Sequence, residues 1–143
     1  MNLYVYLQGG LGNQMFQYAA GVSALKEYPQ FTDLRLDTSF YGDQERKVIV
    51  NGLTGRGYDL DIFNITYNKC EEAPEGETML QGWFQNIDEF ANVENLIRDQ
   101  FTFAIDFPDN IEQLRKEIIS KPNAVSVHVR RGDFITNPTA YAH

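Results

Sequence analysis

The chain has 143 residues, room for one cored domain but short for two. Hydrophobic residues at 43%, charged residues at 22%, and eight Tyr with ten Phe describe a packed globular protein, not a disordered one. A formal net charge of −8 argues against general binding to nucleic acid or anionic membranes, although a small basic site can exist within an acidic protein.

Along the chain, "NLYVYLQ" (2–8) alternates Leu3, Val5 and Leu7 with Tyr4, Tyr6 and Gln8, which predicts a first strand. Gly9, Gly10 and Gly12 end it. Met15, Tyr18, Ala19, Val22 and Leu25 then form a helical stripe, with Asn13 at the expected N-cap and Pro29 just past the end. "DLRLD" (33–37) predicts a second strand and completes a β-α-β unit. Residues 38–77 are less regular: "NGLTGRGYDLDIFNI" (51–65) is rich in turn formers and "EEAPEGE" (71–77) reads as an acidic surface loop. "TMLQGWF" (78–84) is the next strand candidate. Asn86 and Glu89 form a capping pair that opens a helix striped by Phe90, Val93, Ile97 and Phe101. Asp109 and Glu112 repeat that signature before Ile111, Leu114 and Ile118. "NAVSVHV" (123–129) predicts a strong final strand leading into "RRGDF" and "ITNPTAYAH".

Strands alternating with helices predict an α/β fold with a largely parallel sheet. A last strand and loop so close to the end of the sequence suggest a second domain that is cut short. Cys70 is the only cysteine, so there is neither an internal disulfide nor a cysteine-rich metal site. The N-terminus lacks the basic and apolar regions of a signal peptide, and no segment reaches the ~20 apolar residues of a membrane-spanning helix. A soluble cytoplasmic protein is the default expectation.

"GGLGNQMFQYAAG" (9–21) poses the first functional question. Gly10 and Gly12 match the opening of the dinucleotide fingerprint G-x-G-x-x-G, but Met15 stands at the third glycine. Asp33 or Asp37 offers only a weak match to the ribose-binding acid. A P-loop needs Lys after the second glycine, and none occurs before Lys26. Two readings survive: a tight strand-to-helix turn, or an anion site in which backbone N–H groups and the Asn13 and Gln14 amides meet a ligand.

"SVHVRRGDF" (126–134) supplies the second constellation. On a strand, His128 and Arg130 share one face, with Val125, Val127 and Val129 opposite them. Arg131 and Asp133 then fall in the loop at the carboxyl end, where open α/β sheets bind ligands. Arginine presents a rigid fork of donors suited to phosphate, and Gly132 permits a sharp turn, so the group is a candidate diphosphate clamp. The plain alternatives are an ordinary surface histidine and a local Arg131–Asp133 ion pair. The adhesion tripeptide spelled by "RGD" has no other support in the chain.

Together, "GGLGNQMFQYAAG" and "VHVRRGDF", with "GYDLDIFNI" and "GWFQNIDEFANVENLIRDQFTF" between them, resemble the family 11 glycosyltransferases, the α-1,2-fucosyltransferases, and their bacterial members in particular. The resemblance covers essentially the whole chain. It implies a GT-B-like architecture of two Rossmann-like halves, with GDP-fucose held between them and a β-galactoside as acceptor. Residues 1–121 would form the acceptor-side domain and 122–143 the start of the donor-binding domain. Gly10, Gly12, Asn13 and Gln14 would reach the donor from the first half. His128, Arg130 and Arg131 would hold it from the second, and Arg130 and Asp133 would carry the catalytic roles.

The implied reaction inverts the anomeric centre and needs no resident metal or cofactor. Arginine can stabilise the diphosphate leaving group, and the one D-x-D string, "DLD" (59–61), lies in an apolar stretch that suits a structural role. No nucleic-acid partner is expected. Peripheral association with the inner face of a membrane is compatible with these features. Family members approach twice this length, so this chain alone is expected to transfer little sugar. The competing readings are a non-catalytic carbohydrate- or partner-binding half-domain and a nicotinamide-dependent oxidoreductase.

Overall fold

The computed structural model describes residues 1–42 and 56–129. These fall into two compact units, one up to Ala104 and one from Ile105. In the first unit, β1 (Asn2–Tyr6), β2 (Asp33–Asp37), β3 (Asn68–Cys70) and β4 (Thr78–Leu80) form one sheet in the order β3-β2-β1-β4, and every pairing is parallel. Leu3 aligns with Leu34 and Val5 with Leu36, so the predicted alternation becomes one continuous apolar face.

Helix α1 (Leu11–Glu27) covers that face. It comes close to the sheet at Gly21, where an added Cβ would stand 2.6 Å from Val5 Cγ2 and 3.0 Å from Leu34 Cδ1. The third glycine of the dinucleotide fingerprint has this packing role. Here Gly21 takes it, and Met15 is free to be a half-buried core residue. The helix begins earlier than the sequence predicts: Gly10 is the N-cap and Asn13 lies inside the first turn. Glycine is an accepted N-cap, so no polar side chain was needed there.

The outer side of α1 is covered too, which the single predicted stripe did not anticipate. A 3-10 helix, Ile87–Val93, lies against it and leads into α2 (Glu94–Gln100). Ser23 Oγ bonds Glu89 O and Asn92 Oδ1, both at 2.9 Å, and Lys26 Nζ donates to Asn92 O. The small residues Ala20, Ser23 and Ala24 are the sequence signal for this second contact. Asn86 does cap, accepting the Asp88 N–H at 3.2 Å, but the predicted continuous helix divides into those two pieces.

Tyr18 donates to Gln100 Oε1 at 2.8 Å, and Gln100 Nε2 donates to Thr66 Oγ1 at 2.8 Å, joining α1, α2 and the approach to β3. Burial pushes the Tyr18 phenol up to about 12, so it remains a proton donor throughout the neutral range.

Two strand expectations change. β4 stops at Leu80, and Phe84 adopts φ 49°, a left-handed conformation incompatible with a strand continuing through it. β3 was not expected: its three residues, NKC, show no alternation because they form an edge strand with two exposed side chains.

In the second unit, α3 (Asp109–Ile119) forms at the predicted place, capped by Pro108. Glu112 does not reach back to the helix start but takes a two-bonded ion pair with Arg115, at 2.7 and 2.8 Å. Residues 124–129 form no strand, and Val125, Val127 and Val129 are 84%, 81% and 72% exposed. Alternation prepares two faces, but a strand also needs a neighbour for its N–H and C=O groups. None of the described strands pairs with this segment. Among the described residues no helix is long and apolar enough to cross a membrane.

Candidate functional site

The strand order locates the site. The chain lays β2 and then β3 to one side of β1, then passes through 71–77 and places β4 on β1's other side. The direction of strand addition therefore reverses between β1 and β4. In open α/β sheets ligands occupy the crevice outside the carboxyl ends of the strands at such a point. Gln8, Gly9 and Gly10 leave β1 there, and residues 81–85 leave β4.

Gly9 has φ +80°, and an added Cβ would come within 2.5 Å of Asn13 Nδ2, so both backbone conformation and space require glycine. The Gly9 carbonyl accepts from Tyr41 Oη at 3.1 Å and from Gln14 Nε2 at 3.3 Å. Burial, and then the nearby charge of Asp59, raise the Tyr41 phenol well above its ordinary range and keep it a donor. Gly12 is different. It is exposed, its φ is not positive, and nothing lies within 4 Å of a Cβ placed there. The fold supplies no reason for glycine at this position, whereas close approach of a ligand to the first turn of α1 would. The N–H groups of that turn have no intrahelical acceptors and carry the positive end of the helix dipole.

Three glutamines and one arginine complete the surroundings, and the sequence pointed only to Gln14. Gln14 is wholly buried: its Nε2 also donates to Gly57 O at 2.8 Å, and its Oε1 accepts the Asp59 N–H at 2.9 Å. Its amide thus fastens the glycine turn to residues 57–59. Gln17, also fully buried, accepts the Gln8 N–H at 2.9 Å and donates to Gly82 O at 3.2 Å, tying the two walls of the crevice together. Gln85 Nε2 donates to Asn13 Oδ1 at 2.8 Å, joining the loop after β4 to the first turn of α1. Exposed Arg56 lies beside Gly10, with Nη1 3.4 Å from where a Cβ would stand. Among the described residues, a cation, the N–H groups of a helix's first turn and the Asn13–Gln85 amide pair thus meet at one helix start, an arrangement that can hold an anionic or hydroxyl-rich ligand.

The profile of glycosyl transferase family 11 matches residues 45–143, most of the chain. The chain belongs to glycosyl transferase family 11. An alpha-1,2-colitosyltransferase of Escherichia coli is 29% identical, covering 94% of this chain and 56% of its own length. The O-antigen biosynthesis glycosyltransferase WbnK of Escherichia coli is 27% identical, covering 96% and 61%. The chain therefore spans little more than half the length of these curated relatives. No solved structure matches it.

Within this family 11 chain, the predicted site residues are distributed unevenly. Gly10, Gly12 and Asn13 come together at the crevice, with Gln14 beneath them. His128 is exposed in the second unit, in a segment without regular structure, and Arg130, Arg131 and Asp133 lie outside the described residues. Asp37, the better placed candidate for a ribose-binding acid, is 1% exposed, and its two oxygens accept the Ser39 and Ala73 N–H groups at 2.9 Å each. Asp33 pairs with Arg35 at 2.7 Å. With both acids engaged, the nicotinamide reading loses its ribose partner. In "DLD", Asp61 pairs with Lys69 at 2.9 Å and the Asp59 N–H is bound by Gln14. Among the described residues no three His, Cys, Asp or Glu side chains cluster as a metal site would require.

Proposed function

We propose that this chain is part of an inverting galactoside α-1,2-fucosyltransferase of GT-B architecture, moving L-fucose from GDP-β-L-fucose to the 2-hydroxyl of a terminal β-galactoside. Residues 1–121 serve as the acceptor-side domain and 122–143 begin the donor-binding domain. The observation that carries this reading is the unobstructed Gly12 in the first turn of α1, which starts at the Gly10 that Arg56 lies against, outside the reversal point of a parallel sheet in a family 11 chain. The names of both relatives, one an alpha-1,2-colitosyltransferase and the other an O-antigen biosynthesis glycosyltransferase, support a bacterial surface glycan as acceptor.

In the reaction, the acceptor oxygen attacks the anomeric carbon from the face opposite the diphosphate. The bond between that carbon and the phosphate oxygen breaks, its electron pair leaves with GDP, and the acceptor proton passes to a base or to water. Negative charge grows on the β-phosphate as the sugar becomes oxocarbenium-like. Arg130, helped by Arg131 and His128, stabilises that charge by preorganised electrostatics, without a resident metal or cofactor. Asp133 orients the arginines first and is the nearest carboxylate to act as base second. Gly10 and Gly12 give the donor phosphate access to the start of α1, with Asn13 beside it and Gln14 holding the turn from below. The cytoplasm is the proposed site of the reaction, with peripheral association at the inner membrane face as its variant.

Colitose, the 3-deoxy analogue of L-fucose, is the second donor to test because the first relative carries it in its name. Transfer to a β-galactoside from GDP-fucose and from GDP-colitose, with linkage analysis of the product, decides between them. In the active enzyme, Arg130→Ala should lower transfer by ~10²-fold or more, since one charge-stabilising donor is lost. Near-normal transfer by that variant removes Arg130 from the mechanism.

A further inference from the structure

The loop after β4, residues 81–85, is built more firmly than a connection requires. Phe84 is the only non-glycine residue among those described that has positive φ, at 49°, and its ring packs partly buried against the core. Gly82 makes room for it: a Cβ there would stand 3.1 Å from Phe84 Cζ. Gln17 holds the Gly82 carbonyl from below. Backbone strain of this kind persists only when the surroundings enforce it, and it concentrates at ligand sites. Its consequence is that Phe84 turns inward while its neighbour Trp83 remains 51% exposed. Tryptophan is highly buried on average, and the Trp83 indole N–H has no partner among the described residues.

Two residues along the same loop, Gln85 shares a hydrogen bond with Asn13 in the first turn of α1. Among the described residues that bond leaves Asn13 Nδ2 as a donor and Gln85 Oε1 as an acceptor with no other partner. A donor and an acceptor side by side match a sugar hydroxyl, which needs both. An aromatic face matches the other property of galactose, whose axial 4-hydroxyl leaves C3–H, C4–H, C5–H and C6 as one continuous apolar patch on the opposite side.

Resting on the transferase reading above, we infer that Trp83, Gln85 and Asn13 form the acceptor subsite, with Trp83 stacking on the apolar face of a terminal β-galactoside and the amide pair bonding its hydroxyls. The Gln85–Asn13 bond joins the loop to the first turn of α1, so an acceptor held by that pair lies next to the glycine turn.

Trp83 is the only tryptophan in the chain, so its emission reports on this one position. Titrating the full chain with methyl β-galactoside should shift and quench that emission saturably, with methyl β-glucoside binding more weakly because its C4–H lies on the opposite face and breaks up the apolar patch. Gln85→Ala keeps the reporter and should weaken galactoside binding by about fivefold, the effect of one hydrogen bond. In the active enzyme, Trp83→Ala should raise the acceptor KM by about tenfold or more while leaving the donor KM in place, and Trp83→Phe should recover part of the loss. An emission unmoved by any galactoside, or moved by GDP alone, overturns the subsite. So does an acceptor KM unchanged by Trp83→Ala. Transfer from GDP-fucose by a longer protein that contains this chain and the rest of a family 11 enzyme, assayed separately, isolates the other failure: a galactoside-responsive Trp83 without any transfer there retains the carbohydrate site and removes the transferase reading.

Discussion

Replacing Gln14 tests whether the glycine turn is held by a buried amide or presents that amide to a ligand. In Gln14→Leu the side chain keeps its bulk but loses three hydrogen bonds: to Gly57 O at 2.8 Å, to Gly9 O at 3.3 Å and from Asp59 N at 2.9 Å. Gly9 O retains Tyr41 as a donor. The Gly57 carbonyl and the Asp59 N–H are left to find water or go unpaired, at about 1–3 kcal/mol each. Carbonyls tolerate this better than N–H groups, so a loss of about 3 kcal/mol is expected.

Gln14→Glu adds a sign that no simple packing defect can mimic. The new carboxyl still accepts from Asp59 N, but its second oxygen faces two carbonyl oxygens, and it can donate to them only when protonated. Burial and those carbonyls raise its folded-state pKa above the unfolded value of about 4.3. The folded protein then binds the extra proton, so the variant loses stability as pH rises from about 4 through the raised pKa. Urea unfolding of both variants and the parent chain at mildly acidic and neutral pH measures this. The gap between Gln14→Glu and the parent should widen towards neutral pH. If Gln14→Leu unfolds within ~0.5 kcal/mol of the parent, or the glutamate gap narrows as pH rises, the scaffold role is refuted.

The two neighbouring glycines should separate cleanly. Gly9→Ala forces a side chain into the left-handed region and against Asn13, costing about 1–2 kcal/mol and displacing the amide that Gln85 holds. Gly12→Ala meets open space in a helix and should match the parent's stability or exceed it by up to ~1 kcal/mol, yet impair transfer; full activity in that variant contradicts ligand approach at Gly12. At alkaline pH, Tyr18 resists ionisation because burial raises its phenol to about 12 from 10.0. Its contribution to stability is complete below pH 10 and is lost as pH rises towards 12, so tyrosinate absorbance and unfolding should change together in that window. Early ionisation of every tyrosine without unfolding would contradict the burial.

The sequence alone determined the elements that rest on local chemistry. β2 at Asp33–Asp37 and the body of α1 formed where alternation and the Tyr18, Ala19, Val22 stripe placed them, and the parallel α/β class followed from their order. Motifs also carried the family, since "HVRRGD" and its surroundings lie within the matched residues. What depended on distant partners was not legible. The "NAVSVHV" segment has the pattern of a strand, but pairing is a property of two segments, and no described strand accompanies it. Met15 failed as a fingerprint residue because the close helix–sheet contact sits at Gly21, a position fixed by where α1 crosses Val5 and Leu34. Gln17 and Gln85 looked like ordinary polar residues. Only tertiary structure brings Gln17 between Gln8 and Gly82, and Gln85 onto Asn13, because hydrogen bonds across 65 and 72 residues of chain leave no periodic trace in sequence.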